Sequence, residues 1–217
     1  MTQNKKYCIS HETLEILRKE ICKRFPEEDI TSLQPGEHFN FKGYEWVCLD
    51  PEHKDNGVLA IMAKPWGDEI MFCPNKNYAD DKGNWNNYKT SNIRELLTNQ
   101  LKIKLGQENL GTHIVNLTAD NGDTSYGSAV DSVFLLTCDE YRKYRDFIPY
   151  YSNWIWTATP YACGDENTFT SDAHLIRGVA SYKQFANYYT DLLGHMVPAC
   201  IFKKTLKLRD LTKVMEK

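Results

Sequence analysis

The sequence lacks the apolar segments that membrane insertion or export requires. No apolar run approaches the ~18 residues that a membrane-spanning helix needs. The amino terminus, MTQNKKYCIS, carries two lysines with no apolar stretch behind them, whereas a secretory signal would place a hydrophobic segment there. We therefore expect no membrane partner, and either a cytoplasmic location or a place in a phage particle that assembles from cytoplasmic protein.

Cysteine pairs of the kind that bind metals are also absent. The seven cysteines are scattered singly, with no C-x-x-C pair, which predicts free thiols in a reducing compartment, most of them small core residues. The spacings from Cys163 to His174 and from His195 to Cys200 match no familiar zinc signature. We expect no bound metal. The remaining cysteines are Cys8, Cys22, Cys48, Cys73 and Cys138.

Catalytic signatures and a broad basic surface are missing as well. The chain has no G-x-S-x-G, P-loop, G-x-G-x-x-G or H-E-x-x-H motif, which favours a non-enzymatic protein without cofactor or catalytic residues. Its 26 Lys and Arg residues are outnumbered by 29 Asp and Glu residues, so the formal net charge is −3. Since broad nucleic-acid binding usually needs a basic face, we do not expect a nucleic-acid partner.

What the sequence does contain is an irregular mixture of helix and strand patterns. An amphipathic helix is predicted over residues 10–25, with Ser10 as its cap. A second helix is predicted over residues 89–105, capped by Ser91 or Asn92. Because helices and strands do not alternate regularly, an α+β fold is favoured over a doubly wound sheet.

A short third helix is predicted after Thr137, which has capping-box spacing to Glu140. Strands are predicted where apolar residues alternate with polar ones or form short continuous runs. The run GVLAIMAK suggests a strand that is covered on both faces. The predicted strand segments are FNFKGYEWVCLD, GVLAIMAK, DEIMFC, DSVFLLT, HLIRGVASY and MVPACIFK.

The segment SNWIWTATPYACGD, residues 152–165, places two tryptophans in one short strand pattern. In an extended chain Trp154, Trp156 and Ala158 share one face. Alternating large apolar residues usually mark a half-buried strand, which favours a place in the core. A stacking surface for a sugar, peptide or base is the alternative.

The candidate ligand-binding residues lie on the loops beside this strand. Residues 74–89 form a long segment rich in Asn, Asp and Gly, and long loops in compact domains are often functional. The other candidate loop directly follows the two tryptophans. The predicted ligand-binding residues are Trp85, Tyr88, Tyr161, Asp165, Glu166 and His174.

Two acidic strings offer oxygen atoms of the kind that calcium prefers. They are ADNGDTSYG, which contains Asp120, Asn121 and Asp123, and DDKGN, residues 80–84. The first departs from the EF-hand template, because Gly122 comes too early and no glutamate occupies the twelfth position. Asx-Gly turns require the same residue types for backbone reasons, so we interpret both strings as turns.

The segments YKTSNIRELL, VFLLTCDEY, WIWTATP and MVPACIF follow one another along the chain. In this order they resemble a bacterial and phage domain family without an assigned function. Its members run as W-x-V-L, S-x-I-R-x-x-L, V-F-L-L-S-x-x-E, W-W-L-R-S-P and G-V-R-P-A. The resemblance covers about residues 36–205. It implies a compact C-type-lectin-like domain, related to formylglycine-generating enzymes, with two main helices and a twisted, mostly antiparallel sheet.

This resemblance divides the chain into an N-terminal amphipathic helix and connector (1–35), the C-type-lectin-like domain (36–205) and a basic C-terminal tail (206–217). Two family arginines are replaced, one by Ala158 and the other by Val197. Arginine is suited to bidentate contacts with anions. A family function that depends on this guanidinium pair therefore does not carry over to this chain.

Three hypotheses about function follow. The first is a non-enzymatic binding domain for a protein or glycan ligand, of bacterial or phage origin, such as a phage protein that binds a host factor. The second is an enzyme of an unrecognised type that uses Cys163, Asp165, His174 and His195. The third is a structural subunit of a phage or secretion assembly, attached through its N-terminal helix and C-terminal tail. All three hypotheses are compatible with an oligomeric protein.

Overall fold

A computed structural model describes residues 28–54, 57–164 and 172–208, together with Thr13, Ile16 and Glu20. These three residues are helical, but the rest of the helix predicted over residues 10–25 lies outside the described residues. So do Cys8, Cys22 and most of the predicted C-terminal tail. The N-terminal helix therefore stays a prediction.

The described chain combines helices with mostly antiparallel sheets, which confirms the predicted α+β class. Its strands are β1 (Glu28–Asp29), β2 (His38–Phe41), β3 (Tyr44–His53), β4 (Gly57–Met62), β5 (Ile70–Met71), β6 (His113–Asn116), β7 (Ser128–Asp131), β8 (Val133–Phe134), β9 (Ile155–Pro160), β10 (Leu175–Ala180), β11 (Gln184–Tyr189), β12 (Leu193–Gly194), β13 (Ala199–Lys203) and β14 (Lys207–Leu208).

Helix α1 begins as an α-helix at Asn92–Leu96, continues as a π-helix over Leu97–Leu101 and ends as an α-helix at Lys102–Leu105. Its cap is Ser91, whose hydroxyl accepts a hydrogen bond from the backbone N–H of Arg94 at 3.2 Å. Short 3₁₀ segments lie at Ile30–Ser32, Lys76–Tyr78, Tyr88–Thr90, Gln107–Asn109 and Asp172–His174.

Helix α2 (Cys138–Tyr144) begins with the predicted capping box. The Thr137 hydroxyl accepts from the backbone N–H of Glu140 at 3.2 Å, and the Glu140 carboxylate accepts from the backbone N–H of Thr137 at 2.9 Å. Each side chain thus satisfies a backbone donor that a helix start would leave without a partner. None of the described helices has the length and apolar character that a bilayer crossing needs.

The largest sheet has the strand order β2-β3-β4-β13-β8, and all its neighbouring strands run antiparallel. Every residue of β4, GVLAIM, is buried, which confirms a strand covered on both faces over this part of the run GVLAIMAK, whereas Lys64 is exposed. Aromatic rings fill one side of this sheet. The Phe202 ring on β13 meets Trp46 edge-to-face, with 5.1 Å between the ring centroids.

A second sheet of order β11-β10-β9 contains Trp156 of WIWTATP, on β9. All six residues of β9 are buried, so the strand forms part of the core, as predicted. The Trp156 indole N–H donates to the backbone oxygen of Ile70 at 2.8 Å. Trp154, just before the strand, stacks on Tyr188 with 3.8 Å between ring centroids.

Three two-stranded sheets complete the described fold: β1-β14, β5-β12 and β6-β7. The first of them joins the predicted N-terminal connector to the predicted C-terminal tail. Ile30, directly after β1, is fully buried and donates its N–H to the backbone oxygen of Leu206 at 3.2 Å. The five described cysteines are all buried thiols, which confirms the predicted core role for these positions.

A buried ion pair attaches helix α1 to β7. Arg94 donates from Nε and Nη2 to the two carboxylate oxygens of Asp131, each at 2.9 Å. The Asp131 side chain is only 2% exposed. The third guanidinium nitrogen, Nη1, donates to the backbone oxygen of Lys89 at 3.0 Å. This bidentate geometry is the strongest form of side-chain ion pair, and it fixes the helix against the β6-β7 sheet.

We expect Asp131→Ala to lower the free energy of unfolding by about 3–5 kcal/mol, because it leaves the Arg94 guanidinium without its carboxylate in a partly buried place. Urea denaturation at neutral pH measures the change. The matched control is Glu52→Ala, which removes the more exposed Glu52–Lys204 pair and should cost less than about 1 kcal/mol. Equal effects of the two variants would contradict a structural role for the buried pair.

Candidate functional site

Three loops meet at one end of the β9–β10 hairpin, and the side chain of Asn86 links them. Asn86 is 0% exposed. The two N–H groups of its Nδ2 are shared among three backbone oxygens, those of Ala162, Asp172 and Leu175, at 2.9, 3.2 and 2.8 Å. Its Oδ1 accepts from the Tyr126 hydroxyl at 2.7 Å. One amide thereby holds together the loops formed by residues 74–89, 117–127 and 161–164, which we call the loop face.

Asp80 stabilises the loop of residues 74–89 through hydrogen bonds to other residues of the same loop. Its carboxylate accepts from the backbone N–H groups of Lys82 and Asn84, at 3.0 and 2.9 Å. It also accepts from the side-chain amides of Asn84 and Asn87, at 3.0 and 2.9 Å. Burial by itself would raise the pKa of Asp80, but these hydrogen bonds outweigh the burial and lower it below 3.8. The carboxylate therefore stays charged at neutral pH and holds the loop in one conformation.

Gly164 lets the third loop come close to the first. Its N–H donates to the Tyr126 hydroxyl at 3.1 Å, and its carbonyl oxygen accepts from the Asn84 amide at 3.4 Å. A Cβ atom at this position would collide with the Asn84 side chain. The glycine of YACGD is therefore required for the close approach of two loops.

The structure brings Trp85 and His174 together, two of the predicted ligand-binding residues. Their rings stack with centroids 4.8 Å apart and an interplanar angle of 20°, and both are half-buried. Tyr161 is also half-buried, and its N–H donates to the backbone oxygen of Leu175 at 3.1 Å. Trp85 and Tyr161 belong to the loop face, and His174 adjoins it through the stacked ring of Trp85.

Tyr88 is placed differently from the expectation. Its ring is fully buried and packs near Phe72, with 6.4 Å between centroids, so the ring is not accessible to a ligand at the surface. Asp165 and Glu166 lie outside the described residues. The choice of ligand-binding residues stays a prediction for Trp85, Tyr161, Asp165, Glu166 and His174.

The loop face contains a polar cleft of about 320 Å³, which we call the loop cleft. Both its acidic and its basic groups come from the long loop. Hydroxyl groups from two different loops add donors and acceptors. The lining residues are Asp80, Asp81, Lys82, Asn87, Lys89, Thr90, Ser125, Tyr126 and Gly164.

A second cleft of about 370 Å³ lies on the other side of the 117–127 loop, next to the start of α2, and we call it the helix cleft. Asp120 in its wall lies between Arg142 and Arg177, with N–O distances of 3.9 and 3.6 Å. The lining residues are Lys54, Ile114, Asn116, Thr118, Ala119, Asp120, Gly122, Thr137, Cys138, Asp139, Glu140, Arg142 and Thr159. Residues of the acidic string ADNGDTSYG and of the Thr137 capping box line this cleft, but the sequence patterns predict a turn and a helix start there and not a cleft.

The oxygen atoms of the two acidic strings stabilise turns. Asp123 accepts from the backbone N–H and the hydroxyl of Ser125, at 2.8 and 2.6 Å, and Asn121 accepts from the N–H of Asp123 at 3.0 Å. Asp80 does the same in the other string. Among the described residues, no three His, Cys, Asp or Glu side chains are placed to share a metal ion.

The described residues of the enzyme hypothesis make structural contacts. The buried Cys163 thiol points toward the backbone oxygen of Asp123 at 3.6 Å, and burial raises the pKa of this thiol. A raised pKa disfavours the thiolate that a nucleophile requires. His195 contacts Asn153 at 2.9 Å and Glu69 at 3.5 Å. These surroundings give no support to a Cys–His nucleophile.

The chain was compared with protein families, curated proteins and solved structures. No family model, no curated protein and no solved structure matches it. The C-type-lectin-like fold and the family resemblance inferred from the four motifs therefore stay predictions.

We expect Asn86→Ala to lower the free energy of unfolding by about 2–3 kcal/mol, because it leaves buried carbonyl groups without a donor. Amide hydrogen exchange should also become faster in residues 161–164 and 126–127. The matched control is Asn99→Ala, at an exposed position on α1. An unchanged exchange rate in these loops would contradict the role of Asn86 as the link between them.

Glu140 makes the stability of the fold depend on pH. Its carboxylate lies 2.6 Å from Nε2 of the buried His113 and accepts from the N–H of Thr137 at 2.9 Å. Burial by itself would raise the pKa of Glu140, but the hydrogen bonds from His113 and Thr137 outweigh it and hold the pKa below 4.5. A carboxylate with a lowered pKa stabilises the fold above its ordinary pKa and loses this contribution as the pH falls through the lowered value.

We expect Glu140→Gln to be less stable than the wild type at about pH 7, with the difference shrinking once the pH falls below the ordinary pKa of 4.5 and through the lowered pKa of Glu140. The reason is that the wild-type carboxylate becomes neutral as the pH falls through its lowered pKa, and the variant side chain is already neutral. Urea denaturation at several pH values measures both proteins. A stability difference that does not change with pH would show that the ionised form of Glu140 is not the stabilising one.

Proposed function

We propose that this chain is a non-enzymatic binding domain that recognises a glycan through its loop face. The observation that carries the proposal is the Asn86-centred network, which fixes three loops around a polar cleft. A site whose side chains are already held in place loses little entropy when a ligand binds. The buried, raised-pKa thiol of Cys163 favours a binding role over a nucleophilic one.

The composition of the loop cleft supports a ligand rich in hydroxyl groups. Sugar hydroxyls both donate and accept hydrogen bonds, and the cleft offers ammonium donors from Lys82 and Lys89 beside the hydroxyls of Thr90 and Ser125. The volume of about 320 Å³ lies at the lower end of the range for small-molecule sites. Trp85 of the same loop stacks on His174, and we propose these half-buried rings as the aromatic surface for a sugar ring.

A protein ligand is the second candidate, and an apolar pair beside the helix cleft favours it. Ile114 on β6 lies directly opposite Val130 on β7, and these side chains are 57% and 60% exposed. Ile114 also lines the helix cleft. An apolar pair beside charged groups is typical of protein interfaces. This candidate includes the host-factor binder of a phage that the family resemblance suggested.

We expect the folded protein to bind members of a glycan array, and Lys82→Ala and Lys89→Ala each to weaken that binding about tenfold through the lost charge-assisted hydrogen bonds. Isothermal titration with the best glycan measures the affinity. Lys64→Ala is the matched control, because its side chain is 83% exposed and pairs with Glu45 rather than lining the loop cleft.

Two results would count against the proposal. An array without any bound glycan, obtained with protein that unfolds cooperatively, would contradict a glycan ligand. Glycan binding that both lysine variants retain in full would move the site away from the loop cleft. In that case Ile114→Ser, assayed on the same glycan, distinguishes the helix cleft from the remaining surface.

A further inference from the structure

The tight hairpin between β10 and β11 has an unusual backbone. Tyr182 and Lys183 both lie in the left-handed region, with φ angles of 64° and 60°. Tight hairpin turns with left-handed residues favour Asn and Gly, because other side chains are strained there. Two residues with larger side chains in succession therefore lower the stability of the fold. The contacts that each side chain makes indicate its role at this position.

Lys183 has a structural role that explains its conformation. Its ammonium donates to the backbone oxygens of Arg145 and Ile148, each at 2.7 Å, just beyond the end of α2. The Arg145 guanidinium donates in return to the backbone oxygen of Lys183 at 3.0 Å. These contacts attach the tip of the hairpin to the segment that follows α2 and hold it in place.

Tyr182 is exposed instead. Its side chain is 80% exposed, and its ring lies 6.4 Å from that of Tyr150, which is itself 59% exposed. Folding gains little from an aromatic ring that stays in water. The hairpin thus presents a tyrosine at a strained position where an asparagine would cost less.

Arg145 completes the surface with a positive charge. Its guanidinium lies over the ring of Phe185 at 5.7 Å and is exposed. In the part of the chain that the structure describes, no carboxylate comes within ion-pair distance of it. Arg142 also lies over Phe185, at 4.6 Å, but it is paired with Asp139 at 2.7 Å. Arg145 therefore has hydrogen-bond donors left for a carboxylate outside the described chain.

We propose that Tyr150, Tyr182 and Arg145, which we call the tyrosine patch, dock an acidic segment of a partner protein. Tyrosine and arginine are enriched at the centres of protein interfaces. The two rings cover an aromatic or aliphatic side chain of the segment, and Arg145 binds a neighbouring carboxylate. Because Lys183 and Arg145 hold the hairpin tip, binding has little backbone to order. This surface is separate from the loop cleft, and the inference does not depend on a glycan ligand.

The test measures binding of the full chain to three labelled probes: a random copolymer of glutamate and tyrosine, a copolymer of lysine and tyrosine, and oligothymidylate. We expect binding to the Glu–Tyr copolymer that weakens with added salt, because part of it is ionic. Tyr182→Ala, Tyr150→Ala and Arg145→Gln should each weaken this binding about tenfold.

Two control variants match the chemistry of these changes. Tyr189→Ala removes another half-exposed tyrosine from the far end of β11 and should retain the affinity. Asp146→Asn removes the acidic residue next to Arg145 and should retain or strengthen binding. Patch variants that bind as well as the wild type would overturn the proposal. So would equal binding of the Lys–Tyr copolymer, or no binding of the Glu–Tyr copolymer.

The oligothymidylate probe tests whether the tyrosine patch binds single-stranded nucleic acid instead of an acidic protein segment. Binding of this probe in place of the acidic copolymer would overturn the proposal in favour of single-stranded nucleic acid, which also uses aromatic rings and cations. None of these outcomes alters the glycan experiment, since the patch residues do not line the loop cleft.

Tyr182→Asn tests whether the strain serves binding. Asparagine tolerates the left-handed region better than tyrosine, so we expect the melting temperature to rise by about 2 °C while copolymer binding falls. A variant that melts lower and still binds the copolymer would show that the Tyr182 ring stabilises the fold, and the proposal would fail.

Discussion

The buried amide of Asn86 is the contact on which the arrangement of the loop face depends. It donates to backbone oxygens on two sides of the 165–171 segment and accepts from Tyr126 on a third loop. A buried polar group without a partner costs far more than a formed hydrogen bond contributes. Each of these loops is therefore constrained by the others, because moving one leaves the Asn86 amide or its partners unsatisfied.

Buried side-chain pairs constrain other parts of the fold in the same way. Arg94 with Asp131 attaches α1 to the β6-β7 sheet, and His113 with Glu140 attaches β6 to α2. The side chains of both pairs have their partners within the chain, so they contribute to the position of the elements. Arg145 differs, since it is exposed and has no carboxylate nearby in the described residues. Arg145 also donates to the backbone oxygen of Lys183, so the contrast is between side chains that are paired with each other inside the fold and a guanidinium whose carboxylate partner we propose to come from another protein.

The sequence predicted the local features well and the candidate site in part. The capping box at Thr137, the cap at Ser91 and the buried strand β4 depend on residues a few positions apart, and all three are confirmed. The strand β11, QFANYY, was not predicted, because its burial alternates only weakly at the edge of a sheet. The sequence predicts Tyr88 to be a ligand-binding residue of a loop, but its ring is fully buried in the core. Sequence patterns cannot tell which aromatic ring of a polar loop turns inward.

The sequence by itself determined the α+β class, the core role of the WIWTATP strand and the turn chemistry of the acidic strings. Spacing, capping and alternation act over a few residues, and their energetics need no distant partner. Only the tertiary structure decided that Asn86 links three loops, that Trp85 meets His174 and that Lys183 holds a hairpin against the end of α2. Each of these contacts joins residues far apart in the chain. They form only after long loops have closed, and no local pattern in the sequence encodes which pairs will meet.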